Sequence, residues 1–322
     1  MRLLVVVLAV VVGVASAAAV MTLRHIGSSG GQASAQATLV WPAAAQAPVP
    51  VSAGQPAAAA AVSCKGAKVG VATDNLGLFE KNTKVFPSVA VKYVSWGTAF
   101  PGKAILENHG GGVKTQLVLE PRGVKISAIA AGRDDKFLAR WATADKKLNL
   151  PMILSFAPES NGRWYGWGEG HITAALFKSA WRHIHHVLVK DGARKMTFLW
   201  QVNVIFPTSE PLKKLWPGAA YVGEVGIDGH LRKGETFNSV FGATIRQVRT
   251  ITKRPVAIGE VAVDRGTYRV RQINELFTGL CKDRLSRFVL FDVKRPGANV
   301  MLEGDKSALA AFRKDAAKLG PA

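Results

Sequence analysis

The sequence predicts an α/β fold, a (β/α)8 barrel, and two features of the chain support this prediction. From Lys68 onward, short apolar runs alternate with amphipathic segments, and eight of the runs have the length and composition of buried parallel strands. Strands that alternate with helices indicate right-handed parallel crossovers. Eight such units in about 255 residues match the size of a closed barrel. An open doubly wound sheet is the alternative, although no Gly-x-Gly-x-x-Gly motif follows the first strand.

The predicted strands and helices follow each other along the chain. The strands are expected at Lys68–Ala72, Val89–Val94, Thr115–Glu120, Met152–Ala157, Met196–Gln201, Tyr221–Ile227, Pro255–Glu260 and Arg287–Asp292. The helical segments are expected at Asp134–Leu148, Thr173–Lys190, Phe237–Thr252, Val270–Cys281 and Lys306–Leu319. In these segments, apolar side chains recur at helical spacing.

The chain before residue 64 differs in composition from the rest. An apolar run from Leu3 to Leu23 follows Arg2, which predicts a signal peptide or signal anchor over residues 1–25. The run is long enough to span a bilayer, and Arg2 and Arg24 flank it about equally, so release and retention both stay open. Residues 26–63 are rich in Ala, Pro, Gly and Ser and predict a disordered linker. We therefore expect an exported domain over residues 64–322, extracellular or held at the cell surface.

Charge and cysteine content narrow the set of partners. The formal net charge is +20, which favours polyanions such as anionic polymers of the cell envelope. Lysines and arginines are scattered and no nucleic-acid-binding signature occurs, so we expect no nucleic acid partner, and we expect a monomer.

The two cysteines of the chain, Cys64 and Cys281, are expected to form a disulfide in an exported protein, with two buried free thiols as the alternative. No spacing typical of a metal site is present.

Polar residues at the predicted strand ends form a candidate active site, because the carboxyl ends of the strands meet at one face of a barrel. The candidates are Glu120, Glu159, Asn203, Asp228, His230, Glu260 and Asp292. Glu159 follows a buried strand directly, and Trp164, Tyr165 and Trp167 come next on a Gly-rich loop. Aromatic rings beside a carboxylate are typical of a sugar-binding cleft. Trp96, after the second strand, is either a further sugar platform or a residue packed at the rim.

Glu159 and Glu260 are the candidate catalytic pair. They follow the fourth and end the seventh predicted strand, so they would face each other across the barrel mouth. Cleavage of a glycosidic bond needs two carboxyl groups, one protonated and one ionised. The alternative is that one of them is a buried partner of an Arg or Lys.

Four blocks in order resemble glycoside hydrolase family 26, the endo-β-mannanase family of retaining (β/α)8 barrels. They are Ile129–Ala142 (IAAGRDDKFLARWA), Pro158–Gly168 (PESNGRWYGWG), Trp216–His230 (WPGAAYVGEVGIDGH) and Arg254–Glu260 (RPVAIGE). The resemblance implies that Glu159 is the proton donor and general base, and that Glu260 is the nucleophile. It implies that Trp164 and Trp167 are sugar platforms, that Asp228 lies near the nucleophile, and that no cofactor is needed.

The chain departs from the family pattern at several positions. Pro158 replaces a His ahead of the acid/base residue, His230 replaces a Tyr that is hydrogen-bonded to the nucleophile, and Ser160 and Glu224 replace other usual residues. The resemblance implies an exported retaining β-glycanase acting on β-1,4-mannan-type polysaccharide. Mixed-linkage β-glucan or xylan as substrate, or a catalytically weak glycan-binding barrel of the cell envelope, are the alternatives.

Overall fold

The computed structural model describes residue 64 and residues 66–207, 209–295 and 298–319. The predicted signal segment, residues 1–25, and the predicted linker, residues 26–63, lie outside the described residues. Within the described part of the chain, no helix has both the length and the apolar composition needed to cross a membrane.

Eight parallel strands close into a barrel in sequence order, with the first strand paired to the eighth. The strands are β1 Lys68–Thr73, β2 Val89–Ser95, β3 Lys114–Glu120, β4 Met152–Phe156, β5 Met196–Asn203, β6 Glu224–Leu231, β7 Val256–Val263 and β8 Arg287–Asp292. The predicted (β/α)8 barrel is therefore confirmed. A short antiparallel pair, β9 Lys294–Arg295 and β10 Ala298–Asn299, follows the last barrel strand.

Helices cover the outside of the barrel. They are α1 Leu76–Thr83, α2 Gly102–Gly110, α3 Ile126–Ala130, α4 Asp135–Leu148, α5 Ala174–Lys190, α6 Leu212–Leu215, α7 Phe237–Ile251, α8 Arg269–Lys282 and α9 Lys306–Ala316, with a 3-10 turn at Ala317–Leu319. The sequence did not predict α3 and α6, which are only 5 and 4 residues long, nor the longer helices α1 and α2. The reason is that α1 buries only Phe79 and Thr83 and α2 only Ile105, so neither carries a full apolar stripe.

The sixth strand differs most from its prediction. It begins at Glu224 instead of Tyr221, because Tyr221 belongs to a turn in which its N–H donates to the carbonyl of Gly218. It also continues beyond Ile227 to Leu231. The polar residues that seemed to end the apolar run belong to the strand itself and face the barrel mouth, the end formed by the carboxyl termini of the strands.

A buried ion pair fills the opposite, amino-terminal end of the barrel interior. Arg287 begins β8 and bonds both carboxylate oxygens of Glu224, the first residue of β6. The Arg287 guanidinium also donates to Oε1 of Gln116 on β3 at 3.2 Å, and the hydroxyl of Ser286 donates to Glu224 at 2.5 Å. This cluster links three strands in the region of the barrel that is farthest from the mouth.

A disulfide between Cys64 and Cys281 joins the segment before β1 to α8. The two cysteines are 217 residues apart in sequence, so the bond closes most of the described chain into one loop. Such a cross-link reduces the conformational entropy of the unfolded chain.

We predict that the Glu224–Arg287 pair is replaceable as a unit but not singly. Glu224→Leu leaves the buried Arg287 charge without its partner and is expected to reduce the free energy of unfolding by about 3–5 kcal/mol. The double variant Glu224→Leu/Arg287→Met removes both charges and is expected to lose much less stability. Urea unfolding of the two variants and the wild type measures this difference. A double variant that is as unstable as the single one would show that the pair does not act as a unit.

Candidate active site

The chain leaves β4 through an unusual backbone conformation that places Glu159 at the barrel mouth. Ala157 and Glu159 have φ values of 47° and 54°, in the left-handed region that costs non-glycine residues roughly 1–2 kcal/mol. The Glu159 N–H donates to the carbonyl of Gln201 on β5 at 2.9 Å, which holds this segment against the neighbouring strand. Non-glycine residues with a left-handed backbone conformation are concentrated at the functional sites of proteins.

Two donors hold the buried carboxyl group of Glu159. Nε1 of Trp164 donates to Oε2 at 2.7 Å, and Nδ2 of Asn203 donates to Oε1 at 2.5 Å. The Trp164 ring folds back over the loop at Gly162, where an added Cβ would lie 2.3 Å from the ring. Gly162 is therefore required for Trp164 to reach Glu159.

Asn203 is fixed in turn by Asn161. Nδ2 of Asn161 donates to the Asn203 carbonyl and Oδ1 accepts from the Asn203 N–H, each at 2.8 Å. This reciprocal pair joins the loop after β4 to the end of β5. Both the acid and its amide donor are consequently held by buried hydrogen bonds.

A β-bulge positions Glu260 on β7. In the β6–β7 ladder, Ile227 pairs with Ile258 but Asp228 pairs with Glu260, so Gly259 is the extra residue. A Cβ at position 259 would lie 2.6 Å from Oδ1 of Asp228, which explains the glycine. The bulge turns the Glu260 side chain toward the interior beside Asp228, as bulges near active sites often do.

Tyr93 on β2 donates its hydroxyl hydrogen to Oε2 of Glu260. Asp228 pairs with Glu260 in the β6–β7 ladder, its Oδ2 accepts from Nε2 of Gln201 at 2.8 Å, and the charge of Glu159 acts on it. Glu159, Asp228 and Glu260 are 6%, 3% and 4% exposed, so three carboxyl groups are withdrawn from water at one end of the barrel.

Burial raises the pKa of each of these carboxyl groups, because a low-dielectric surrounding disfavours the charged form. The pKa of Glu159 is raised to about 7, an effect that its Asn203 and Trp164 donors oppose. Burial raises the pKa of Glu260 to about 8. Burial and the nearby Glu159 charge raise the pKa of Asp228 well above its ordinary value. A site of this kind holds both protonated and ionised carboxyl groups near neutral pH, which is the requirement for acid/base chemistry.

Four residues predicted as substrate contacts have structural partners in the folded chain. Trp167 is 4% exposed, its Nε1 donates to the Pro158 carbonyl, and Tyr165 stacks on its ring at a centroid distance of 4.4 Å. It therefore has little surface for a sugar. Both carboxylate oxygens of Glu120 accept from Arg122 at 2.9 Å, so the buried carboxylate of Glu120 forms an ion pair.

His230 and Trp96 also have structural contacts. Nε2 of His230 lies 2.7 Å from Oδ1 of Asp264, and Tyr93 supplies the bond to Glu260 that was expected from position 230. Trp96 packs on Phe137 and Phe156, with ring centroids 4.7 and 6.0 Å away, so the rim-packing alternative holds.

Asp292 has a structural contact as well. Its Oδ1 accepts from the Leu302 N–H at 2.6 Å and anchors the loop after β8. Of the predicted substrate-binding residues, Trp164, Asn203 and Asp228 are the ones that gather around the two glutamates.

The sequence did not identify Tyr93, Gln201 and Asn161 as parts of the site. Tyr93 is two residues from the end of β2, and its position near the carboxyl end of a strand is the signal that could have indicated it. Gln201 and Asn161 act through other site residues, and no sequence pattern marks them. Among the described residues, no group of three or more His, Cys, Asp or Glu side chains is placed to hold a metal ion.

A family model decides the relationship of the chain to known proteins. The model described as "Glycosyl hydrolase family 26" matches residues 114–277, half of the chain, from β3 to α8. The chain belongs to glycosyl hydrolase family 26. It is a glycoside hydrolase, and the match includes both Glu159 and Glu260.

Solved structures of the family share this barrel at low sequence identity. The catalytic domain of the Bacillus sp. JAMB-750 GH26 endo-β-1,4-mannanase is 14% identical, with a TM-score of 0.64 and coverage of 80% of this chain and 88% of that one. A double mutant of the Cellulomonas fimi endo-β-1,4-mannanase is 15% identical, with a TM-score of 0.65 and coverage of 80% and 72%. No curated protein matches the chain. At these identities the structures establish the fold that this family 26 chain shares.

We predict that Glu260→Gln gains stability relative to the wild type as the pH rises. The folded-state pKa of Glu260, about 8, lies above the ordinary value of 4.5, so the folded wild type binds the extra proton between these limits. The free energy of unfolding of the wild type therefore falls as the pH rises through this window, whereas Gln carries no titrating proton. The difference between variant and wild type is expected to shift by up to about 4 kcal/mol in favour of Gln between pH 5 and pH 9.

Urea unfolding at both pH values measures this shift. The exposed substitution Glu107→Gln is the matched control, since its effect should be the same at both pH values. A Glu260→Gln effect that is equally independent of pH would contradict the raised pKa.

Proposed function

We propose that the protein is an exported retaining β-glycanase that hydrolyses β-1,4-mannan-type polysaccharide by double displacement. The observation that supports this most is that Glu159, after β4, and Glu260, on β7, are both buried at the barrel mouth, with Asp228 on β6 paired to Glu260 and subject to the charge of Glu159. Two buried carboxyl groups with separate hydrogen-bond partners suit the two roles that glycosidic bond cleavage requires.

In the first step, Glu260 attacks the anomeric carbon and Glu159 protonates the leaving oxygen. The bond from the sugar to the leaving oxygen breaks as the ester bond to Glu260 forms, and the proton of Glu159 goes to the leaving group. The Tyr93 hydroxyl donates to Oε2 of Glu260 and so favours its ionised form. Trp164 and Asn203 hold the Glu159 carboxyl group in position through both of its oxygens.

In the second step, Glu159 acts as a base. It removes a proton from a water molecule, which attacks the anomeric carbon and breaks the ester to Glu260. The two inversions retain the configuration of the sugar. The working protonation state carries a proton on Glu159 and none on Glu260. Burial by itself favours the opposite order, since it raises the pKa of Glu260 to about 8 and that of Glu159 to about 7. The proposal therefore assigns to the Tyr93 hydrogen bond the stabilisation of ionised Glu260.

The half-buried Trp164 is the candidate sugar platform. Its indole N–H is bound to Glu159, so the ring is fixed next to the acid, and its centroid lies 6.2 Å from that of Phe206. Aromatic rings held beside the catalytic groups supply the C–H stacking surface for a pyranose. Two solved structures with the same barrel, from Bacillus sp. JAMB-750 and Cellulomonas fimi, are endo-β-1,4-mannanases, which supports mannan as the first substrate to test.

The N-terminal apolar run Leu3–Leu23 and the Cys64–Cys281 disulfide support export. Disulfides persist in oxidising compartments outside the cytosol. A polysaccharide substrate is consistent with this location, since such polymers lie outside the cell membrane.

We predict turnover on one or more of mannan, glucomannan, lichenan and xylan, with mannan or glucomannan preferred. Glu159→Ala and Glu260→Ala are each expected to reduce kcat by at least about a hundredfold. Each substitution removes one of the two carboxyl groups that the proposed reaction needs, the proton donor or the nucleophile. The appearance of reducing ends measures turnover. Glu169→Ala is the matched control: Glu169 contacts Arg163 and the Glu210 N–H instead of the catalytic pair, so it should retain far more activity.

Three outcomes bear on this proposal. Full turnover in either catalytic variant would refute the roles assigned to Glu159 and Glu260. Preference for lichenan or xylan would transfer the substrate class to mixed-linkage β-glucan or xylan. Binding of a glycan without turnover by the wild type would favour the alternative of a glycan-binding barrel.

A further inference from the structure

A cavity of about 680 Å³ lies beside the catalytic residues, between the loops that follow β3 and β4. One wall is formed by residues 121–127, and the other includes Gly166, Trp167, His171 and Ile172. Its volume is in the range of about 300–1,000 Å³ that small-molecule ligand sites occupy. The proposed mechanism does not use this cavity.

The cavity wall is basic. Arg122, Lys125 and His171 line it, and none of the described residues that line it is Asp or Glu. Apolar side chains such as Val124 and Ile172 provide the remaining surface. A concave site that combines cationic groups with apolar patches suits a ligand that has an acidic group on a compact carbon skeleton.

Arg122 is held in place with part of its donor set in use. Its Nε and Nη2 atoms donate to Glu120, each at 2.9 Å, and its guanidinium lies over the Trp167 ring at 5.4 Å from the centroid. The side chain is nevertheless 36% exposed. A guanidinium has five N–H donors, so the Glu120 pair leaves Nη1 to reach an anionic group in the cavity.

The cavity and the catalytic pair share a wall. Trp167 lines the cavity, and its Nε1 donates to the carbonyl of Pro158, the residue before Glu159. The loop that carries Glu159 therefore also forms part of the wall of this cavity.

We propose that the cavity is a subsite for an acidic sugar, so that the glycan is a β-glycan bearing carboxylate groups, such as hexuronate units. This inference rests on the proposed glycanase function. Lys125 supplies long-range attraction, and Arg122 contacts the carboxylate. The substrate preference of the enzyme is then set by charge at this position as well as by the sugar at the scissile bond.

A second basic cavity supports the same chemistry. It has a volume of about 290 Å³ and lies near the ends of β6 and β7, where Lys233, Arg265 and Arg269 line it together with one acidic residue, Asp264. In the closed strand order, β6 and β7 lie across the barrel from β3. A polyanionic chain that crosses the mouth would meet cationic side chains on both sides, and the formal net charge of +20 favours its approach.

The test compares glucomannan with the same polymer after oxidation of its C6 hydroxyl groups to carboxylates. The wild type is expected to hydrolyse the oxidised polymer with a kcat/KM roughly tenfold higher at low ionic strength, and added salt should reduce this preference. Lys125→Glu should lower the preference for the oxidised polymer at least about fivefold, because it replaces the attraction of the exposed Lys125 side chain for the acidic unit by repulsion.

Lys114→Glu is the matched control. Lys114 is also exposed and begins β3, at the opposite end of the barrel, so the substitution changes the net charge equally without altering the cavity. Equal turnover of both polymers by the wild type would overturn the proposal, and so would equal losses of preference in the two lysine variants.

A binding measurement separates this proposal from the hydrolytic one. Calorimetric titration of Glu260→Gln with oxidised and neutral gluco-manno-oligosaccharides reports affinity without turnover. If the wild type hydrolyses neither polymer, the catalytic proposal fails, and tighter binding of the oxidised oligosaccharides, weakened by Lys125→Glu, would still support the acidic subsite. Equal affinity for both sets would refute it.

Discussion

Withdrawal of three carboxyl groups from water at one end of the barrel is the constraint on which the site depends. Glu159, Asp228 and Glu260 are each at most 6% exposed, and burial raises the pKa of all three. Such burial opposes folding at neutral pH, since each ionised group loses solvation. The closed ladder of eight strands supplies the rigid frame that holds these groups in spite of that cost.

Local irregularities in the strands give the carboxyl groups their positions. The left-handed backbone at Ala157 and Glu159 ends β4, and the bulge at Gly259 brings Glu260 level with Asp228. Each irregularity is locally unfavourable and is held by buried contacts, such as the Glu159 N–H bond to Gln201. The regularly paired strands stabilise the barrel, whereas the left-handed segment after β4 and the bulge on β7 position the carboxyl groups of the site.

Much of the architecture could be predicted from the sequence because buried parallel strands have a strong signature. Each of the eight runs from Lys68 to Asp292 became a barrel strand, and Glu159 and Glu260 were found from their positions after such runs. Helices α1 and α2 were not predicted, because they bury too few side chains for the sequence to show helical spacing. Strand ends were misplaced where polar residues at the mouth interrupt an apolar run, as at Asp228.

Side-chain partners were the least predictable feature. The sequence shows that Tyr93 lies in a strand and that Trp167 lies in a Gly-rich loop, but not that the first bonds Glu260 and the second packs under Tyr165. These contacts join residues from different strands and loops, so they depend on the closure of the barrel. Glu120 illustrates the same limit, because Arg122, two residues further along, takes both of its oxygens.

The assignment of Glu159 and Glu260 to opposite faces of one anomeric carbon is the central claim, and azide rescue of their alanine variants tests it most directly. With an activated β-glycoside, azide should replace the missing carboxylate of Glu260→Ala and give an α-glycosyl azide. In Glu159→Ala it should attack the glycosyl-enzyme and give the β-glycosyl azide. The anomeric configuration of the glycosyl azide, determined by nuclear magnetic resonance, shows which glutamate is the nucleophile. A β-azide from Glu260→Ala, or an α-azide from Glu159→Ala, would contradict the roles assigned to the two glutamates.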